Sequence, residues 1–211
     1  MKTIIKNGTV VTASDIYQAD VVIEDEKIVA IGSTDKREGE NVIDASGKLI
    51  FPGAIDVHTH LDMPFGGTVT ADDFTTGTIA AAAGGTTTII DYALQTPGHS
   101  LAEALQNWHE KADGKCAVDY GFHVAVTDLN DAVMAEIPEL IGRGYPSYKV
   151  FMAYKGVFQV DDSTLLTVLR QAGAAGGLVL VHAENGDIID LLTREMLARG
   201  ETTPLHHALS R

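Results

Sequence analysis

The sequence predicts an α/β protein: a parallel sheet covered by helices in the manner of a (β/α)8 barrel, with a small β module ahead of it. Three observations carry this prediction. From Gly53 onward, near-continuous apolar strand candidates alternate with helical patterns, as a parallel sheet buried on both faces requires. Polar or ligand-type side chains fall at or just past the C-terminal end of each strand candidate, which is the edge where such a barrel gathers its chemistry. Residues 1 to about 50 have a different texture, reading as short strands broken by turns.

Taken in order, "TIIKNGTVVT", "ADVVIEDEKIVAIG" and "NVIDASGKLIFPG" are the strand segments of the first module, with Asn7-Gly8 and Ser46-Gly47 as turn signals. The barrel strands are "AIDVHTH", "GTTTIIDY", "CAVDYGFHVAV", "SYKVFMAY" and "GLVLVHAEN". Helices are expected over 72–83, from Ser100, and over 131–140, 163–172 and 187–198. The helix after Ser100 carries a capping-box pattern, Ser100 with Glu103 three residues on, and sets Leu101, Leu105 and Trp108 on one face. "AAAAGGTTT" lacks the Gly-Lys-Ser/Thr ending of a phosphate loop, so its small residues suit close helix packing instead. Five strands are found where a closed barrel needs eight, so the chain is expected to be an inactive N-terminal part of a protein about twice as long.

Composition narrows the function. With 45% hydrophobic residues the chain can bury a real core, and 15 Lys+Arg against 29 Asp+Glu give a formal charge of −14. That charge repels phosphate backbones and anionic membranes, which leaves a small, weakly charged substrate. Cys116 is the only cysteine, so no intrachain disulfide can form. No opening segment has the apolar core of a signal peptide or the length of a membrane span, and the cytoplasm is the expected location.

"GAIDVHTHLD" raises the chemical question. Residues i and i+2 of a strand point to one side, so His58 and His60 can aim into one cavity while Thr59 faces the helices. Two imidazoles there make half of a metal site, whose other ligands must come from other strands; the plainer alternative is a hydrogen-bonded pair at a strand end. His182 in "VLVHAEN" carries the same two readings. Lys149 either snorkels to the rim or, with its pKa lowered by burial, reacts with carbon dioxide to give a carbamate that can bridge two cations. His99 and His109 are expected to face solvent, His123 to be a hydrogen-bonded core histidine, and His206 and His207 to be structural.

Together "PGAIDVHTHLDMPFGG", "AAAAGGTTTIIDY", "SYKVFMAYKGVFQ", "LVLVHAENGD" and "PLHHALSR" resemble the cyclic amidohydrolases, and within them the D-hydantoinase/dihydropyrimidinase family. The resemblance runs from Met1 to Arg211. It implies a small β-sandwich domain, begun by residues 1–52, beside a metal-dependent (β/α)8 barrel, begun by residues 53–211. It also implies two divalent ions, zinc by expectation, with His58 and His60 on the first, a carboxylated Lys149 bridging, and His182 on the second. The implied reaction opens a hydantoin or dihydropyrimidine ring by attack of a hydroxide shared between the metals, giving the N-carbamoyl amino acid. Tyr154 matches the tyrosine that hydrogen-bonds the substrate carbonyl oxygen, and Phe65, Phe151 and Phe158 lie where they can wall the pocket or simply pack. A further histidine and a proton-carrying aspartate known in the family have no match here. A homotetramer is likewise implied.

Two other readings stay open. Dihydroorotases carry His-x-His-x-Arg, where the arginine can clamp a substrate carboxylate; this chain has Asp62 at that position, which favours a neutral ring over a dihydroorotase or allantoinase assignment. A non-catalytic dihydropyrimidinase-related interaction protein has no evident physical reason to keep His58, His60, Lys149 and His182 together.

Overall fold

The computed structural model describes residues 1–33 and 41–211, in two compact units, Met1–Ala54 and Ile55–Arg211. The first unit is a mixed sheet of β1 (Lys2–Val11), β2 (Ile16–Glu24), β3 (Lys27–Gly32), β4 (Asn41–Asp44) and β5 (Leu49–Ile50). β1 lies between antiparallel β2 and parallel β4 and β5. Ile4, Val10, Val21 and Val22 form its buried interior, each worth about 1.5–3 kcal/mol on burial.

Two turn readings change here. Asn7-Gly8 does not end a strand: β1 runs straight through it, with a bulge between Ile5 and Gly8. Asn7 takes φ 62°, its N–H donates to Asp20 Oδ1 (2.9 Å) and its side-chain amide to Asp44 Oδ1 (3.1 Å). Gly8 is required because a Cβ there would come within 2.3 Å of Ile50 Cδ1. The actual reversal is Asp25-Glu26, at φ 46° and 68°, which closes a two-residue hairpin between paired Glu24 and Lys27. Ser46-Gly47 is a turn as expected, with Gly47 at φ 71° and Lys48 N–H donating to Ala45 O (2.9 Å).

β6 (Ala54–Thr59) leads into the second unit from the boundary residue Ala54, and is followed by a small hairpin, β7 (Pro64–Phe65) with β8 (Thr68–Val69). Then helices and strands alternate: α1 (Phe74–Ala83), β9 (Thr86–Leu94), α2 (Leu101–Ala112), β10 (Asp119–Ala125), α3 (Asp131–Gly142), β11 (Ser147–Phe151), α4 (Asp162–Ala174), β12 (Leu178–His182), α5 (Gly186–Ala198) and α6 (Pro204–Leu209). The sheet order β12-β11-β10-β9-β6 follows the chain, and the pairs from β9 to β12 are parallel. This is a half-barrel of five strands flanked by helices, as the sequence predicts. Its curl is visible in one bond: His123 on β10 donates from Nε2 to Val57 O on β6 (3.0 Å), reaching past the intervening β9.

The helix starts follow from their caps. Asp73, Ser100, Asn130, Asp161 and Asn185 each accept a backbone N–H of the first turn. The reciprocal capping box is at Asp73/Thr76, and at Ser100 only half of one forms, because Glu103 turns to His99 Nδ1 (2.9 Å). The core lies between sheet and helices, with Ile89, Phe122, Val124 and Val150 packed against Leu101, Leu105, Ile137, Leu140 and Val168. β11 is buried along its whole length, and Tyr148 anchors it by donating to Ile137 O of α3 (2.9 Å). Among the described residues no helix is long and apolar enough to cross a membrane.

Candidate metal centre

β6 delivers His58 and His60 to the sheet's C-terminal edge with ring centroids 5.1 Å apart. Tyr92, from β9, lies against both, at 4.8 and 5.0 Å, and continues the stack to His123 at 4.9 Å. His60 Nδ1 and the Tyr92 hydroxyl are buried without a hydrogen-bond partner in the described structure. Burial lowers the His60 pKa, with the neighbouring Asp91 charge opposing and the His58 and Lys149 charges assisting. The ring is thereby held in the neutral state a metal requires.

Lys149 comes from the middle of β11 and does not snorkel: it is 7% exposed, and burial lowers its pKa. Its ammonium nitrogen lies 5.2 Å from the Phe151 ring and 6.0 Å from the Tyr92 ring, with no hydrogen bond or ion pair to a described residue. Burial beside apolar surfaces shifts the amine toward its neutral form, which is the form that reacts with carbon dioxide. His182, at the end of β12, donates from Nε2 to Glu184 Oε2 (2.7 Å), since a carboxylate can only accept; the neutral ring's lone pair is then on Nδ1. Glu184 in turn lies 3.4 Å from Arg211 Nε, and the bond from His182 holds its carboxyl below the usual range.

These side chains meet in one cavity of about 400 Å³. His58, His60, Lys149 and His182 line its floor together with Met63 and Thr70, while Phe65, Phe151, Tyr154 and Phe158 make an aromatic wall. Phe158 packs between Phe65 (5.9 Å) and Phe151 (5.3 Å), and Tyr154 lies 5.1 Å from the His182 ring. Tyr154 has φ 67°, a left-handed conformation costly for a bulky residue. It is sustained because its carbonyl accepts N–H groups from Val157 (2.9 Å) and Phe158 (3.0 Å) in one tight turn.

Among the described residues, no three His, Cys, Asp or Glu side chains converge to bind a metal by themselves. The orphaned His60 Nδ1 and the unpaired Lys149 amine are nonetheless donor groups chemically suited to a divalent cation. Asp62 is not on the cavity wall: its carboxylate lies 3.5 Å from Lys111 Nζ, so the charge is spent on a neighbouring helix rather than on repelling an anion. His123 is the hydrogen-bonded core histidine expected, its Nδ1 accepting from the Ser147 hydroxyl (2.6 Å) while Nε2 holds Val57. His109 corrects the sequence reading, since it is half-buried between Asp113 (2.8 Å) and the Tyr145 hydroxyl (2.8 Å) and packs on Phe122. His99 is exposed as expected.

The residue whose importance the sequence concealed is Asp91. It is fully buried, and four donors converge on its carboxylate: Thr59 Oγ1 (2.8 Å) and Leu61 N (2.8 Å) on Oδ2, Tyr92 N (2.8 Å) and Trp108 Nε1 (3.1 Å) on Oδ1. As one of several polar residues at a strand end it had no motif to mark it. The i, i+2 argument that sends Thr59 away from the cavity was the available signal, because a hydroxyl on that face needs a partner.

A family model described as the amidohydrolase family matches residues 49–210. The chain is 57% identical over 212 residues to a D-hydantoinase of Geobacillus stearothermophilus, covering 100% of this chain and 45% of that protein. It is 53% identical over 211 residues to a D-hydantoinase of Streptomyces coelicolor, covering 98% and 45%. The crystal structure of a dihydropyrimidinase from Brevibacillus agri superposes with a TM-score of 0.97 at 57% identity, over 100% of this chain and 46% of that one. The chain thus spans less than half the length of the relatives it matches.

Proposed function

Because the chain belongs to the amidohydrolase family, in its D-hydantoinase/dihydropyrimidinase group, we propose that the whole protein opens a neutral cyclic amide, a hydantoin or dihydropyrimidine, to the N-carbamoyl amino acid. The observation that carries this reading is the convergence of His58, His60, Lys149, His182 and Tyr154 on one cavity. His58 and His60 would hold one divalent cation, zinc by expectation, and His182 through Nδ1 a second, with a carbamate on Lys149 shared between them. The chemistry such cations supply is to lower the pKa of water toward neutrality and to polarise the carbonyl it attacks.

The rest falls to the chain's own side chains. Tyr154, held by its strained turn, directs a hydroxyl at the carbonyl oxygen and stabilises the negative charge that develops there. Phe65, Phe151 and Phe158 exclude water and receive the ring's exocyclic group. Among the described residues the cavity lining carries no arginine to clamp a carboxylate, which favours a neutral ring over dihydroorotate. It carries no Asp or Glu either, so protonation of the leaving nitrogen belongs to a group outside these residues. A homotetramer completes the proposal on the resemblance, and a cytoplasmic location on the sequence reading.

The test is turnover by the full-length protein on hydantoin, dihydrouracil and dihydroorotate. Hydrolysis of either of the first two is expected. Turnover confined to dihydroorotate overturns the substrate assignment, and none on any of the three favours an interaction protein.

A further inference from the structure

We propose that Asp91 is a positioning residue for the histidine pair, its buried carboxylate holding both neighbours of His60, Thr59 by its hydroxyl and Leu61 by its N–H, and supplying a fixed negative charge beneath the cations. The proposal rests on the metal-site reading above. Three of its four donors, Leu61 N, Tyr92 N and Trp108 Nε1, can only donate, which suits an acceptor without its own proton. No cation among the described residues pairs with this carboxylate, which is 0% exposed. A buried anion is costly without compensation, and neutral hydrogen bonds compensate only in part. Cations bound to the adjacent histidines would supply what is missing.

The geometry supplies the positioning half. Thr59 lies between the two histidines and Leu61 follows the second, and both are bonded to the same oxygen, Oδ2. The next residue, Asp62, stands at φ 47° with its N–H on Asp72 O (2.8 Å), and Lys111 of α2 bonds its carbonyl and approaches its carboxylate. Every residue from Thr59 to Asp62 except His60 is therefore tied to another element, and His60 is left with a free buried nitrogen. Groups that fix the orientation of a metal-binding side chain tune affinity without touching the metal, and Asp91 would do so through the residues on either side of His60.

The experiment uses the full-length protein as wild type, Asp91→Asn and Thr59→Val. Asp91→Asn removes the charge at nearly constant shape, and Thr59→Val removes one tether while leaving the charge. Zinc affinity is read by competition with a chromophoric chelator, ligand geometry by the visible absorption of the cobalt(II) form, and stability by urea unfolding of the metal-free protein. Asp91→Asn is expected to weaken zinc binding by about 10–100-fold, and both variants to change the cobalt spectrum. Should Asp91→Asn not fold, a changed cobalt spectrum in Thr59→Val still supports the proposal. Variants that lose apo stability yet keep wild-type zinc affinity and the wild-type cobalt spectrum overturn it, because a merely structural carboxylate does just that. Wild type that binds no zinc overturns the metal reading, and this proposal with it.

Discussion

Gly186 is the residue on which the cavity wall is most exposed to a single methyl group. It opens α5 four residues after His182, and its N–H donates to Met152 O (2.9 Å) in the loop that carries Tyr154. In Gly186→Ala the new Cβ would lie 2.3 Å from Gln159 Oε1 and 2.7 Å from Met152 O. The glutamine side chain can swing away. The carbonyl is backbone, and its 2.7 Å falls 0.7 Å short of the 3.4 Å where ordinary contact begins, so the start of α5 or the 152–159 loop must move by roughly that amount. Overpacking of this kind costs about 1–3 kcal/mol, offset by about 0.5–1 kcal/mol because alanine favours a helix over glycine. A net loss of about 1–2 kcal/mol is expected in urea unfolding. A shift near 1 Å at Tyr154 can cost on the order of 100-fold in rate, so kcat for hydantoin should fall by about 10- to 100-fold. Wild-type stability together with wild-type kcat would refute the argument that this wall is held by backbone contact.

The remaining expectations are simpler. Tyr154→Phe should lower kcat by about 100- to 1,000-fold through loss of the oxyanion donor, with the unfolding midpoint little changed. Lys149→Ala should bring turnover close to background at little cost in metal-free stability, since no hydrogen bond or ion pair of the lysine is lost, and added acetate or propionate should restore part of the rate. Tyr120 donates its hydroxyl to Asp113, which with burial pushes its pKa up to about 12. As the folded value is raised, the stabilisation is complete below pH 10 and lost as pH rises through 12. The stability difference between wild type and Tyr120→Phe should therefore be constant from above the carboxylate range of Asp113 up to pH 10, shrink above pH 10 and vanish only beyond pH 12, as followed by urea unfolding.

The histidine strand and its edge of the sheet were legible in the sequence because they follow from local rules. His58 and His60 share a side by strand alternation, and apolar runs with polar ends put Lys149 and His182 on the same edge. What stayed hidden depends on contacts between residues far apart in the chain. Asp91 reads as one more polar strand end until Thr59, Leu61 and Trp108 arrive from 32, 30 and 17 positions away. Asn7-Gly8 has the composition of a turn, yet Asp20, Asp44 and Ile50 turn it into a bulge in a continuous strand. Asp25-Glu26 lacks the usual glycine, and hairpin pairing imposes two left-handed residues there anyway. The exposed-looking His109 is captured by Tyr145, 36 residues on, which no helical period could reveal.

The bond from Trp108 Nε1 to Asp91 gives the molecule a spectroscopic window on its own chemistry. Trp108 is the one tryptophan among these 211 residues, and its indole nitrogen rests 3.1 Å from the carboxylate that also grips the histidine strand. An indole ring is polarised by a charge this close, so its emission and, in a 5-fluorotryptophan version, its fluorine resonance respond to whatever neutralises Asp91. Filling of the cavity floor can then be watched as a change in colour or frequency at a side chain that never enters it.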